Sequence, residues 1–199
     1  MPGFFLPMNI GRFKIKYNSP FVLTFSFLAL FIMLIQTRSN SGVKALLSLD
    51  HQFSAASFKD WFSLFTYPMV HADWAHFTAN FSLILLIGPI LEEKYGTKQL
   101  LLMSIFTAII TGVFNFVLFD HGLLGASGIV FMMILLCSIT NYTNKEIPLT
   151  FLLVTVFYVG NEIIAAFDPN SRISHFAHLA GGACGAFFGF QLHNKLLKK

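Results

Sequence analysis

Three clusters in this chain hold side chains that could do chemistry. Gly125-Ala126-Ser127-Gly128 surrounds a serine with small residues. Such glycines let another chain approach the hydroxyl and free the backbone for a sharp turn. A serine at a helix start also has outward-pointing backbone N–H groups, suited to holding an oxyanion. The second cluster runs from His71 to Asn80 and includes His76. His76 and Asn80 stand four apart, so they share a helix face and can both donate hydrogen bonds sideways. The third is His175-Phe176-Ala177-His178, followed by Gly181 and Gly182. Ala177, Gly181, Gly185 and Gly189 recur every fourth residue, a smooth stripe for tight helix contact. His178 lies beside that stripe and so faces a neighbouring helix at short range. A serine needs an adjacent base to become a nucleophile, and imidazole is the usual one.

Each cluster has a plainer reading when taken singly. The serine would mark a turn, the histidines would anchor at an interface, and Asn80 would be interhelical glue. Together they supply a nucleophile, a base and an oxyanion donor pair, a full set for acyl transfer. No acidic residue is expected to complete a triad. Glu162 is the only acid deep in a late apolar stretch, and it has no local motif. The expected unit is a Ser127–His178 dyad.

These residues need elements to carry them. Six apolar stretches are expected, near Phe21–Gln36, Ala75–Leu91, Gln99–Phe119, Ser127–Thr140, Ile147–Phe167 and His175–His193. The chain is 55% hydrophobic and only 11% charged, against about 25% charged in soluble domains. That leaves too little polar surface to face water, and the bilayer is the natural solvent. The fourth stretch is too short to cross a bilayer core of about 20 residues. A short helix must begin part-way down, beneath a loop or aqueous cavity, because lipid cannot satisfy bare backbone groups. Ser127 opens that helix.

Charge sets an expected orientation. With both ends cytoplasmic, the inner segments hold nine basic residues: Arg12, Lys14, Lys16, Lys94, Lys98, Lys145, Lys195, Lys198 and Lys199. Four lie outside: Arg38, Lys44, Lys59 and Arg172. The long, aromatic-rich loop over residues 37–74 would then be external, packed on itself or lying in the interface. The run after Met1–Lys16 has no small-residue cleavage site, so it reads as a first span. The +4 net charge is scattered, which gives no support to nucleic-acid binding. Cys137 and Cys184 fall in apolar runs and read as packing residues.

The combination resembles the rhomboid family of intramembrane serine proteases. The order His-x4-His-x3-Asn, Gly-x-Ser-Gly, then Ala-His-x-x-Gly-x3-Gly carries the resemblance, with Gly88-x3-Glu92-x3-Gly96 after the second stretch. The implied fold is an all-α membrane protein: a single domain over residues 1–199, a short cytoplasmic segment to about residue 18 and a six-helix core over about 19–194. The chain looks like the minimal bacterial six-helix form, a multi-pass protein of the inner membrane.

The resemblance implies Ser127 as nucleophile and His178 as general base, then acid. His76, Asn80 and the Ser127 backbone N–H would hold the oxyanion. His71, Gly125, Gly128 and Phe131 would flank the site, and the fifth span with the outer loop before the sixth would gate lateral substrate entry. Substrates would be transmembrane proteins cut near the outer end of a helix, with no cofactor and no metal. Three positions depart from the common pattern. Trp61 is followed by Phe62 rather than arginine. Phe131 stands where tyrosine is frequent, so it can stack on His178 but offers no hydroxyl. Ser174 replaces a frequent acid. The rival readings are a non-proteolytic rhomboid-like client-binding protein, a small transporter and a zinc protease. The last lacks the His-Glu-x-x-His that it would need.

Overall fold

The computed structural model describes residues 8–10, 13–38, 42–139, 146–165, 167 and 174–196. Each apolar stretch is a helix. In chain order these are α1 (Pro20–Arg38), α4 (Trp74–Tyr95), α5 (Thr97–Leu118), α6 (Ser127–Ser138), α7 (Leu149–Ala165) and α8 (His175–Leu196). The loop after α1 carries two short helices, α2 (Gly42–Leu47) and α3 (Phe58–Thr66), then a 3-10 turn over Tyr67–Met69. Three helices, α1, α4 and α5, are long and apolar enough to cross a membrane, while α6 and α7 are shorter apolar helices. The bundle is therefore that of an integral, multi-pass membrane protein.

One small departure from an all-α chain precedes the bundle. Strands β1 (Met8–Ile10) and β2 (Phe13–Ile15) pair antiparallel, with Asn9 opposite Lys14. Isolated hairpins of this size contribute little stability, and no alternating pattern of useful length marks it in the sequence.

Helix α6 lies at the centre. Met132, Met133 and Leu136 are fully buried within the main apolar cluster. Twelve residues span only about 18 Å at 1.5 Å each, well short of a hydrocarbon core about 30 Å thick. Its neighbours surround it and carry the membrane contact, so its ends need not reach the interfaces. This is what lets a helix start, with its exposed N–H groups, sit inside the protein.

Close packing of α8 on α6 follows from the small-residue stripe. A Cβ on Gly181 would collide with the backbone oxygen of Gly128, and one on Gly185 with that of Met132. A Cβ on Gly189 would strike the side chain of Ile139. In lipid, apolar faces gain little from meeting one another, so dispersion at short backbone separation does the work.

At the opposite end Glu92 ties α1 to α4. Its carboxylate accepts from Phe21 N–H (2.9 Å) and Val22 N–H (3.0 Å), capping the start of α1, and from the Thr97 hydroxyl at 2.7 Å. A Cβ on Gly88 would press on Val22. Gly96, with φ at +87°, supplies the left-handed corner between α4 and α5. The resembling segment Gly88–Gly96 is thus a brace.

The first loop packs on itself and also turns an apolar face outward. Asp60 accepts from Ser54 N–H at 2.9 Å, Ser57 caps α3, and the Trp61 indole donates to Ala55 O at 3.0 Å. Phe53 meets Trp61 edge-on and stacks on Phe116 of α5. Phe58, Phe62 and Phe65 stay exposed, as interfacial aromatics do. Asp60 and Trp61 thus brace the loop.

Candidate active site

Ser127 is the first residue of α6, with Ala126 at the N-cap position. The first intrahelical bond runs from Val130 N–H to Ala126 O at 2.9 Å. The N–H groups of Ser127 and the next two residues therefore have no intrahelical acceptor. The serine itself is half-buried.

The turn before it is held by the first loop. Gly125 N–H donates to Tyr67 O at 3.0 Å, and Leu49 and Leu123 exchange backbone hydrogen bonds at 2.9 and 3.0 Å. The Tyr67 hydroxyl donates to Ala108 O at 3.1 Å. Burial pushes its ionisation upward, so it stays a donor. Gly125 has φ of +105°, and a Cβ there would come within 2.6 Å of the His76 ring. Only glycine both turns this corner and leaves room for the imidazole.

His71 completes the support. Ala126 N–H donates to His71 Nε2 at 3.4 Å, so this nitrogen must be unprotonated. Burial, aided by the nearby His76, pulls the His71 pKa down to about 4, which keeps it in that form. Its ring lies edge-on to His76 and Phe77. Its own carbonyl accepts from the Gln36 side chain at 2.6 Å.

Asp73 caps α4 by accepting from His76 N–H at 2.8 Å, which fixes the histidine in the first turn. Asn80 is buried one turn further on, and its Nδ2 donates to His76 O at 3.1 Å. The shared face of His76 and Asn80 is present, although one amide hydrogen bond of Asn80 runs back along its own helix.

His178 is buried on the first turn of α8. Phe131 lies four residues after Ser127, on the same face of α6. Its ring stacks on His178 with centroids 4.4 Å apart and planes at 10°. Gly128 packs against Ala177 O. These contacts bring the first turns of α6 and α8 side by side, with the imidazole along the serine's face. Ser174 Oγ accepts from Ala177 N–H at 3.4 Å and donates to Asn115 Oδ1 at 3.2 Å. It is a helix cap rather than a substitute acid.

One expectation needs correction. Glu162 of α7 does reach the histidines. Its Oε2 lies 2.7 Å from His175 Nδ1, in a hydrogen bond, and 2.9 Å from His178 Nδ1. The second approach is within ion-pair distance but not aligned as a hydrogen bond. The three donor atoms lie within 4.8 Å of one another. Local sequence could not reveal this, because the contact depends on how α7 lies against α8. The only available hint was the cost of a carboxylate inside an apolar helix.

A centrally buried helix beginning at a glycine-flanked serine, with a ring-stacked histidine on helix α8 packed against it, defines a class of polytopic membrane protein built around one polar site. The Rhomboid domain family matches residues 59–195, more than half the chain, and the chain belongs to that family. Rhomboid-like protein 11, chloroplastic, of Arabidopsis thaliana is 24% identical over 159 residues, covering 72% of this chain and 55% of that protein. The chain thus spans about half the length of this curated relative.

Proposed function

We propose that the protein is an intramembrane serine endopeptidase that cuts transmembrane segments of other membrane proteins. Ser127 attacks the peptide carbonyl while His178 takes its proton and later returns it to the leaving amine. The developing oxyanion is held by the Ser127 N–H with the His76 and Asn80 side chains. His71, Gly125 and Gly128 keep the serine turn in place, and Phe131 sets the plane of His178. An acyl-enzyme forms on Ser127 and is hydrolysed by water from the outer face.

The observation that carries this reading is the stack of Phe131 on His178, one turn from Ser127. It supports the reading because it sets an imidazole against the face of α6 that residues 127 and 131 share. We further infer the minimal six-helix form, of the type found in bacterial inner membranes, with both termini cytoplasmic and the serine opening outward. Helix α7 flanks this face, and we assign it the gate for lateral substrate access.

A fluorophosphonate probe tests the reading, since it labels only an activated serine. The purified chain should label at Ser127, and Ser127→Ala and His178→Ala should not. A non-proteolytic client-binding rhomboid would bind a transmembrane segment yet leave the probe unreacted.

A further inference from the structure

We propose that Glu162 is a positioning residue for His178, so that helix α7 holds the base in working orientation as well as flanking the site. This rests on the protease reading above and deepens it.

A carboxylate in an apolar helix is expensive unless it is paired. Glu162 has only 15% of its side chain exposed, and both histidine partners are 11% exposed. No residue of α7 is fully buried. A helix so lightly packed could have left Glu162 facing an interface. Instead Oε2 sits between two Nδ1 atoms on the first turn of α8.

The geometry then assigns two tasks. His175 and His178 are three apart, so they share a helix face. The aligned 2.7 Å hydrogen bond to His175 holds the carboxylate in place. That leaves the same oxygen 2.9 Å from His178 Nδ1. A carboxylate there favours the proton on Nδ1 and frees Nε2 for the serine hydroxyl. It also favours the imidazolium formed when the serine proton arrives. A small rotation of the His178 ring aligns the pair. The Phe131 ring, stacked parallel to it, allows in-plane rotation while blocking tilt.

The consequence is coupling. Besides Glu162, α7 meets the site through the edge contact of Tyr158 with Phe131. Displacing α7 outward therefore withdraws the orienting carboxylate from the base. Full activity needs α7 back in place once the substrate is bound.

The test uses the purified chain in liposomes with a transmembrane-helix substrate. Wild type must first label with fluorophosphonate at Ser127. Failure of that labelling ends the protease reading itself and is distinct from any result at Glu162. Glu162→Gln should lower kcat roughly 10- to 100-fold, less than the ~10⁴ lost when a fully engaged triad acid is neutralised. KM should change less than about twofold, because no uniform binding is removed. Glu162→Asp should recover part of the loss. Tethering α7 to α8 by a disulfide at their inner ends should spare fluorophosphonate labelling of wild type. Wild-type kcat in Glu162→Gln overturns the proposal and leaves the Ser127–His178 dyad standing. A fall in thermal stability that accounts for the lost activity, with no recovery in Glu162→Asp, also overturns it.

Discussion

Helix α8 meets α6 and α7 in opposite ways. Against α6 it presents glycine, so that Gly181 and Gly185 lie directly on the backbone oxygens of Gly128 and Met132. Against α7 it presents polar and aromatic side chains, with Glu162 at His175 and Phe151 edge-on to Phe190. The first seam leaves no space to move without a clash. The second is made by side chains, from a helix with no fully buried residue. The groups proposed to react, Ser127 and His178, stand on the rigid seam, where positions are held most closely. The element assigned to substrate access stands on the other.

Substitutions along the rigid seam should have the largest effects. Gly181→Val sets side-chain carbons where the Gly128 oxygen is, which forces α6 and α8 apart. Overpacking costs about 1–3 kcal/mol and occasionally more, here next to the proposed nucleophile. Thermal unfolding should shift down sharply and probe labelling of Ser127 should vanish. By contrast, Gly160 in α7 has nothing within 4 Å of a built Cβ. Gly160→Ala should leave stability unchanged or raise it by up to about 1 kcal/mol from helix propensity. Equal effects at the two glycines would erase the distinction between the seams.

Substitutions in the proposed oxyanion pair should have the next largest effects. His76→Ala should reduce kcat by about 10²–10³, the usual loss for one such donor, with a smaller change in KM. Steady-state cleavage of a transmembrane substrate measures it. Phe131→Leu keeps volume but removes the flat partner of His178. A loss of roughly tenfold in kcat is expected, since a misplaced base costs part of a general-base contribution of about 10²–10⁴.

A further predicted effect concerns pH and the serine turn. His71 ionises at about 4 in the folded protein, against about 6.5 in an unfolded chain. Its folded pKa is depressed, so the unfolded state binds the proton first. The contribution to stability is present above about pH 6.5 and is lost as pH falls toward 4. Thermal midpoints across that window should drop in wild type and drop less in His71→Gln. An equal slope in both would remove His71 as the titrating support of Ala126.

Much of this architecture was legible in advance. The expected starts of α4, α5, α6 and α8 lie within two residues of those observed. Apolar periodicity and helix-breaking residues are local, so local reading suffices. The stripe from Ala177 to Gly189 also pointed correctly to a tight neighbour, and Phe131 does stack on His178. What stayed hidden depends on tertiary placement. Glu162 meets His178 from another helix, at a separation that no periodic pattern encodes. The bracing of the serine turn by Tyr67 O and by Leu49 uses backbone groups, which carry no residue signature. Short α2 packs on α1 and α3, while α3 packs on α5 and starts at the Ser57 cap.

The central claim is that Ser127, held at the start of a buried helix, is a nucleophile. Reconstituting the purified protein with a membrane protein bearing one transmembrane helix tests it most directly, with wild type and Ser127→Ala compared side by side. Cleavage within or beside the helix by wild type, and none by Ser127→Ala at equal folding and amount, is the predicted result. Equal cleavage by both proteins would contradict the account.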